Sequence, residues 1–91
     1  MEFEWDPRKA AGNLRKHRVS FDEAIEAFFD ENAVEFFDDE HSEDEVRFQL
    51  VGLSSVRLLF VGYTARSESI RIITARKANA KQTRYYNEQK R

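Results

Sequence analysis

The sequence predicts an α+β fold in which an antiparallel β-sheet carries helices. Three apolar runs rich in Val, Ile, Leu, Phe and Tyr lie at residues 46–53, 56–64 and 69–75. Short polar gaps separate these runs, which is typical of strands joined by hairpins. Two helix-start patterns precede them, and a small sheet needs a packed layer on one face. We therefore expect a short N-terminal strand, two helices on one face, a four-strand meander and a C-terminal helix.

The first 18 residues predict a short strand followed by a helix. Residues 2–5 alternate polar and apolar side chains, which places Phe3 and Trp5 on one face. Asp6 can accept hydrogen bonds from the first N–H groups of a helix, and Pro7 fits the first helical position. The helix should end near residues 17–18. Its predicted buried stripe is Ala10, Ala11 and Leu14, and a second face carries Lys9, Asn13, Lys16 and His17.

A second helix is predicted to begin after Ser20, which forms a capping box with Glu23 three residues later. It should end near residues 29–30. Its amphipathic stripe is Phe21, Ala24, Ile25 and Phe28. Residues 33–37 then predict a strand with Val34 and Phe36 on one side, and an acidic loop over residues 38–44 leads into the meander.

The last helix is predicted over residues 80–89, because Asn79 and Gln82 form a capping pair at its start. Its apolar content is thin, and Tyr85 and Tyr86 are expected to serve packing or partner contacts. Gly52 and Gly62 lie inside predicted strands, where glycine indicates a bulge or the close approach of another backbone.

The composition indicates one domain over residues 1–91, and it contains no Cys. No apolar run approaches the ~18 residues needed to span a membrane. The N-terminus lacks the basic-then-apolar pattern of a secretion signal. We therefore expect a cytoplasmic protein without membrane association.

The net charge of −2 hides a strong segregation of charge along the chain. Residues 21–46 contain twelve acidic residues and no Lys or Arg, whereas residues 47–91 contain ten basic and two acidic residues. A basic half suits a polyanion such as nucleic acid. The acidic stretch suits a basic partner or internal pairing with the basic half, and the alternative is that both are simply solvated.

Metal and cofactor sites are not expected. Two His residues without Cys form no recognisable metal motif, and the three scattered Gly residues form no phosphate-binding loop. The remaining groups suit RNA cleavage by attack of the ribose 2′-hydroxyl, which needs proton transfer and cations around the phosphate. The candidate catalytic residues are His17, Lys16, Arg47, Arg71 and Arg76, and the candidate RNA-binding residues are Lys9, Lys77, Lys81 and Arg84.

Simpler interpretations of these residues stay open. His17 would suit hydrogen bonds to the last carbonyls of its own helix. Arg71 and Arg76, like Arg57, would also suit strand positions that face solvent without a ligand.

A set of short motifs in this chain resembles the BrnT family of bacterial toxins. These motifs span nearly the whole length of the chain and occur in the same order as in the family. The motifs are Phe3, Trp5-Asp6, Lys9, Asn13, residues 16–24 (KHRVSFDEA), Arg47, Gly52, residues 59–64 (LFVGYT) and residues 71–78 (RIITARKA). Arg18 departs from the Gly common in the family, so the turn that ends the first helix must differ or be strained. Thr74 stands where Ser is commoner.

The resemblance implies a ribonuclease toxin of a type II toxin–antitoxin system with a fold similar to the RelE toxins. It implies a small ribbon-helix-helix antitoxin of the BrnA kind, a toxin–antitoxin hetero-tetramer, and operator DNA contacted only through the antitoxin. The leading hypothesis is therefore a metal-independent endoribonuclease that inhibits translation. The alternative is a non-catalytic module that binds RNA or protein, or a subunit that acts only within its antitoxin complex.

Overall fold

The computed structural model describes residues 1–40 and 45–89. Within them the strands are β1 (Glu2–Glu4), β2 (Val34–Phe37), β3 (Arg47–Leu53), β4 (Leu58–Arg66) and β5 (Ser69–Lys77). The helices are α1 (Pro7–His17), α2 (Phe21–Ala27) and α3 (Ala80–Gln89). The predicted order of elements and the α+β class are confirmed. The predicted loop over residues 38–44, with His41, lies partly outside the described residues.

The strands form one sheet in the order β1-β5-β4-β3-β2. The meander from β2 to β5 is antiparallel as predicted. The expectation of an antiparallel sheet is wrong for β1, which pairs in parallel with β5 through Glu2↔Ser69 and Glu4↔Arg71. A parallel pair needs a long connection, and both early helices and three strands separate these two partners in sequence. The sheet is therefore mixed.

The two strand glycines have the predicted roles. A Cβ at Gly52 would lie 2.6 Å from the Ala27 carbonyl oxygen, so α2 approaches the backbone of β3 directly. Gly62 borders a register shift, because it pairs with Thr74 while Tyr63 pairs with Ile72. The extra residue between these partners makes a bulge in β5. Both glycines thus mark departures from a regular ladder.

The helices α1 and α2 cover one face of the sheet, called here the helix face. Phe21 and Ala24 of α2 are buried in its core, and Ile25 and Phe28 pack against it, which confirms the predicted stripe. Phe3 packs on Phe28 with ring centroids 5.1 Å apart. Trp5 meets Phe21 edge to face at 5.7 Å. The sequence thus predicted this apolar layer well.

The predicted buried stripe of α1 is wrong in two of its three members. Leu14 is 50% exposed and Ala11 is also exposed, whereas Asn13 is only 8% exposed. The Asn13 amide donates to the Val19 and Ala75 carbonyls, and its oxygen accepts from the Ala75 N–H. β1 pairs only with residues 69–71 of β5, so Ala75 needs another partner for its backbone groups. A polar side chain therefore docks α1 beside β5.

The third helix packs on the opposite face of the sheet. Tyr86 is buried there against Val51, Phe60 and Ala78. The predicted cap is confirmed, because the Gln82 N–H donates to Asn79 Oδ1 at 2.7 Å and the Asn79 N–H donates to Gln82 Oε1 at 2.9 Å. In the residues described, no helix is long and apolar enough to cross a membrane.

Candidate functional site

Beside α3, part of the second face of the sheet stays open and contains a cleft of about 350 Å³, called here the cationic cleft. Arg47 and Arg76 line it from β3 and β5. Gly62 and Thr74, which pair across the cleft floor, are short and leave the space above them empty. Because of the bulge, Ile73 and Thr74 both line the cleft, although simple alternation placed them on opposite faces.

Three of the predicted site residues project from this open face. Arg47 pairs with Thr64, and Thr64 pairs with Arg71, so Arg47 and Arg71 stand two strands apart in one cross-strand row. That spacing puts their Cα atoms about 10 Å apart. Arg76 pairs with Phe60 and holds its guanidinium carbon 4.8 Å from the ring centroid. The stacking fixes this guanidinium over an aromatic face.

Carboxylates share the open face with the arginines. Asp38 and Glu40 line the cationic cleft, and the Glu4 carboxylate lies 3.3 Å from the Arg71 guanidinium. The acidic stretch over residues 21–46 pairs in part with the basic half, as one of the charge hypotheses allowed, because Glu23 and Glu45 form ion pairs with Arg57 and Arg66. Sequence reasoning missed Asp38 and Glu40 as cleft residues. The usable signal was that they follow β2, whose end lies beside the start of β3.

His17 lies at the end of α1 and does not line the cationic cleft. It follows Asn13 by one helical turn, about 6 Å, on the side that faces β5. Since Asn13 bonds Ala75, this turn places His17 near the edge of β5, on the side of the sheet that α1 covers. Within residues 1–40 and 45–89, the His17 ring makes no hydrogen bond or ion pair. Its predicted bonding to helix carbonyls is therefore not seen, and Lys16 beside it is exposed.

The turn after His17 is held by a pair of charged side chains. Arg18 adopts φ 59° and ψ 32°, which confirms the strained helix end expected where the family commonly has Gly. Its carbonyl accepts a hydrogen bond of 2.8 Å from Arg57, which also forms a 2.7 Å ion pair with Glu23. The Arg57 hydrogen bond lowers the pKa of Glu23. Arg57 thus acts as a clamp on the end of α1.

The contact with Arg57 also explains why only half of the predicted capping box forms. The Glu23 N–H donates to Ser20 Oγ at 3.0 Å, as expected for the cap. The Glu23 carboxylate does not return to the Ser20 backbone, because it accepts hydrogen bonds from Arg57 and from the Ser54 hydroxyl. The ion pair with Arg57 thus takes the place of the hydrogen bond that would return from the Glu23 carboxylate to the Ser20 N–H.

The four residues predicted to bind RNA are all exposed and lie on three elements. Lys9 is on α1, Lys77 ends β5, and Lys81 lies on α3 with Arg84. Lys81 lines a second cleft of about 490 Å³ between α3 and the sheet, called here the α3 cleft. The structure therefore brings Lys81 next to the cationic cleft and leaves Lys9 on the far side of the β5 edge. No group of three or more His, Cys, Asp or Glu side chains in the described part could hold a metal ion.

A larger cleft, of about 1000 Å³, is lined by residues of all five strands and of the turn between β4 and β5. Phe37, Phe48 and Ile70 give it apolar walls, and its charged side-chain groups are three carboxylates and one guanidinium, compared with two of each in the cationic cleft. Carboxylates repel the phosphates of RNA, so size alone does not identify the site. The smaller cationic cleft has the better chemistry for a phosphodiester.

Comparison with known proteins agrees with the resemblance seen in the sequence motifs. No curated protein matches the chain significantly. A family model described as "Ribonuclease toxin, BrnT, of type II toxin-antitoxin system" matches residues 5–82 of the 91. Its description names an enzyme class that acts on RNA and a system in which a toxin has a cognate antitoxin. Since the match runs from the residue after β1 into α3 and covers most of the chain, the chain belongs to the BrnT family of ribonuclease toxins.

Proposed function

We propose that this chain is a metal-independent endoribonuclease toxin that stops translation by cutting RNA on the open face of its sheet. The observation that supports this proposal is the grouping of Arg47, Arg71 and Arg76 on that face, with a cleft between the first and the last. Guanidinium groups donate paired hydrogen bonds to phosphate oxygens and remain charged at any physiological pH. They would thus supply the charge stabilisation that a metal ion supplies in other nucleases.

The proposed reaction is an attack of the ribose 2′-hydroxyl on the adjacent phosphorus. The O–P bond forms as the bond to the 5′-oxygen breaks, which leaves a 2′,3′-cyclic phosphate and a 5′-hydroxyl. Arg47 and Arg76 would bind the nonbridging oxygens, whose negative charge rises in the transition state. Arg71, two strands from Arg47, would bind the next phosphate along the chain once Glu4 releases it.

Proton transfer is assigned to His17, with Lys16 beside it. An imidazole can both accept and donate a proton, and this ring is half-buried with no protein partner in the described residues. For this role the scissile phosphate would have to lie at the β5 edge of the cationic cleft, where Arg76 and His17 could both reach it. Lys16 and Lys9 would then hold flanking phosphates on α1, with Lys77 at the end of β5. Lys81 and Arg84 would hold those at α3.

The carboxylates of the cationic cleft are a second source of the general base. Asp38 and Glu40 lie closer to the arginine pair than His17 does, since they line the same cleft. A carboxylate can accept a proton from a hydroxyl. Glu40→Gln compared with His17→Ala decides between these two assignments.

The partners follow from the proposed role in a toxin–antitoxin system. We propose one RelE-like domain that works in the cytoplasm and is bound there by a ribbon-helix-helix antitoxin, as a hetero-tetramer. The chain would contact operator DNA only through that antitoxin. Denaturation and refolding of the co-purified complex, followed by mass measurement, tests this composition directly.

The second candidate function is a module that binds RNA or the antitoxin without cleaving RNA. The carboxylates of Asp38, Glu40 and Glu4 favour it, because they reduce the positive potential of the open face. A face of balanced charge holds a polyanion more weakly than a purely basic one.

Purified protein incubated with bulk RNA in EDTA tests the proposal. We expect cleavage that leaves 5′-hydroxyl ends, and a loss of about 10²-fold or more in rate for His17→Ala or Arg76→Ala. Arg66→Ala is the matched control, because Arg66 is exposed at the end of β4 and lies outside the cationic cleft. RNA binding without cleavage by the unaltered chain would favour the non-catalytic module instead.

A further inference from the structure

The α3 cleft adjoins the cationic cleft, and the two share Gln49 and Phe60 as lining residues. Its volume of about 490 Å³ falls in the range of small-molecule sites. One side is the sheet and the other is the first two turns of α3. Arg76 stacks on Phe60, which lines both clefts, so a phosphate bound by Arg76 would lie next to this opening.

Tyr85 is the aromatic ring at the mouth of the α3 cleft. It is 37% exposed, and it packs on Phe36 with ring centroids 4.8 Å apart. The next residue, Tyr86, is buried and donates to the Asp30 carboxylate at 2.6 Å, so it anchors the helix. In the described chain, the Tyr85 hydroxyl makes no hydrogen bond. One tyrosine therefore fixes α3, which leaves the other as an oriented ring open to a planar ligand.

Two side-chain amides in the α3 cleft keep unused hydrogen-bonding groups. The Gln49 amide is half-buried, yet within residues 1–40 and 45–89 it makes no hydrogen bond. Gln82 uses its oxygen to accept from the Asn79 N–H, and its NH₂ group bonds nothing in the same residues. Partly buried polar groups are normally paired, so these amides are suited to a polar ligand. A nucleobase offers both a flat face for Tyr85 and donor and acceptor atoms at its edge.

We propose that the α3 cleft is a subsite for the nucleobase next to the scissile phosphate, which stacks on Tyr85 while Gln49 reads its edge. Lys81, at the same cleft, would bind the phosphate on the far side of that base. The subsite sets which base is preferred, and its place in a reaction rests on the proposed ribonuclease function.

Uncleavable 2′-O-methyl RNA oligonucleotides of each single base test the subsite without requiring catalysis. Fluorescence anisotropy should show that the unaltered chain favours one base. Tyr85→Ala should weaken binding of all four oligonucleotides by about tenfold, because stacking is lost, and Tyr85→Phe should restore it. Gln49→Ala should reduce the preference for the favoured base about tenfold, with little loss of affinity for the oligonucleotides of the other bases. Asn87→Ala, on the exposed side of α3, is the matched control.

The outcomes separate this inference from the ribonuclease proposal. Equal affinity for all four oligonucleotides, or unchanged binding by Tyr85→Ala, overturns the subsite. The subsite is also overturned if Gln49→Ala cuts natural RNA at the same positions as the unaltered chain does. The ribonuclease proposal would survive that result. Base-selective binding that depends on Tyr85 supports the subsite even where no RNA is cut, and only the nuclease proposal then fails.

Discussion

The two faces of the sheet differ in what their polar groups do. On the helix face, Tyr63 is buried and its hydroxyl donates to Glu35, and this burial raises the pKa of the phenol. On the open face, Gln49 and Arg76 come from the two strands that flank β4, yet the Gln49 amide has no partner in the described residues and the Arg76 guanidinium stacks on the Phe60 ring. The Tyr63 hydroxyl on the helix face is thus paired within the fold, whereas the Gln49 amide on the open face stays available to the proposed ligand.

This difference arises from the period of two in a β-strand, because successive side chains point to opposite faces. Leu50 is buried under the helices, while its neighbour Gln49 lines two clefts. A substitution on one face should therefore change folding, and a substitution on the other should change binding or cleavage. The following variants test that separation, from the largest expected effect to the smallest.

Arg76→Ala should reduce RNA cleavage by about 10²- to 10³-fold, because a preorganised donor to the transition state is removed. The free energy of unfolding should fall by less than about 1 kcal/mol, since the exposed guanidinium contributes only its contact with Phe60. Initial rates on a labelled RNA and urea denaturation measure the two effects. Arg76→Lys, which keeps the charge but not the paired donors, should recover only part of the rate. A large loss of stability would contradict the separation of faces.

Asn13→Ala should lower the free energy of unfolding by about 3 kcal/mol, because it leaves the buried Ala75 and Val19 backbone groups without partners. Urea denaturation measures this value. Asn87→Ala, an exposed asparagine on α3, should change it by less than about 0.5 kcal/mol. Equal stability of the two variants would show that α1 is held to β5 by other contacts.

Glu23→Gln should lower stability by about 1 to 2 kcal/mol at pH 7, because it breaks the ion pair with Arg57. The pKa of Glu23 is lowered in the folded chain, so the carboxylate stabilises the fold above its ordinary pKa of 4.5. That contribution is lost as pH falls below 4.5 through the folded value. Thermal unfolding from pH 7 to pH 3 should show the two proteins converging in acid. A constant difference across that range would exclude the ionised pair as its cause.

Arg18→Gly should raise stability by about 0.5 kcal/mol. The left-handed conformation costs a side-chain-bearing residue about 1 to 2 kcal/mol, and the greater freedom of Gly in the unfolded chain offsets part of the gain. The hydrogen bond from Arg57 is made to the Arg18 carbonyl, so it survives the change. Thermal unfolding detects the shift, and RNA cleavage should stay within about twofold. A destabilised variant would mean that the Arg18 side chain itself matters.

Local signals predicted most of the elements. The caps at Asp6 and Asn79 lie within three residues of the groups they bond, so their patterns can be read directly from the sequence. The burial of Asn13 could not be predicted in this way. Its partner Ala75 lies 62 positions further along the chain, and an asparagine at helical spacing normally indicates a solvent-facing side.

The candidate site was predictable only where it depends on local sequence patterns. Strand alternation correctly grouped Arg47 with Gln49, because both lie on one regular strand. It failed for Thr74, since the bulge in β5 shifts the side chains that follow it. The relation of His17 to the arginines depends on how α1 docks, which the buried amide of Asn13 decides. The alternation of side chains along a strand does not show how a helix docks beside it.

The pairing of Glu2 with Ser69 has a consequence for the order in which this protein acquires its structure. The residues of β1 are synthesised before those of β2 to β5, but the edge that they join exists only once β5 has been made. Contacts between such distant positions slow folding, because a long loop must close first. β1 is thus made early, but it cannot join the sheet until β5 has formed.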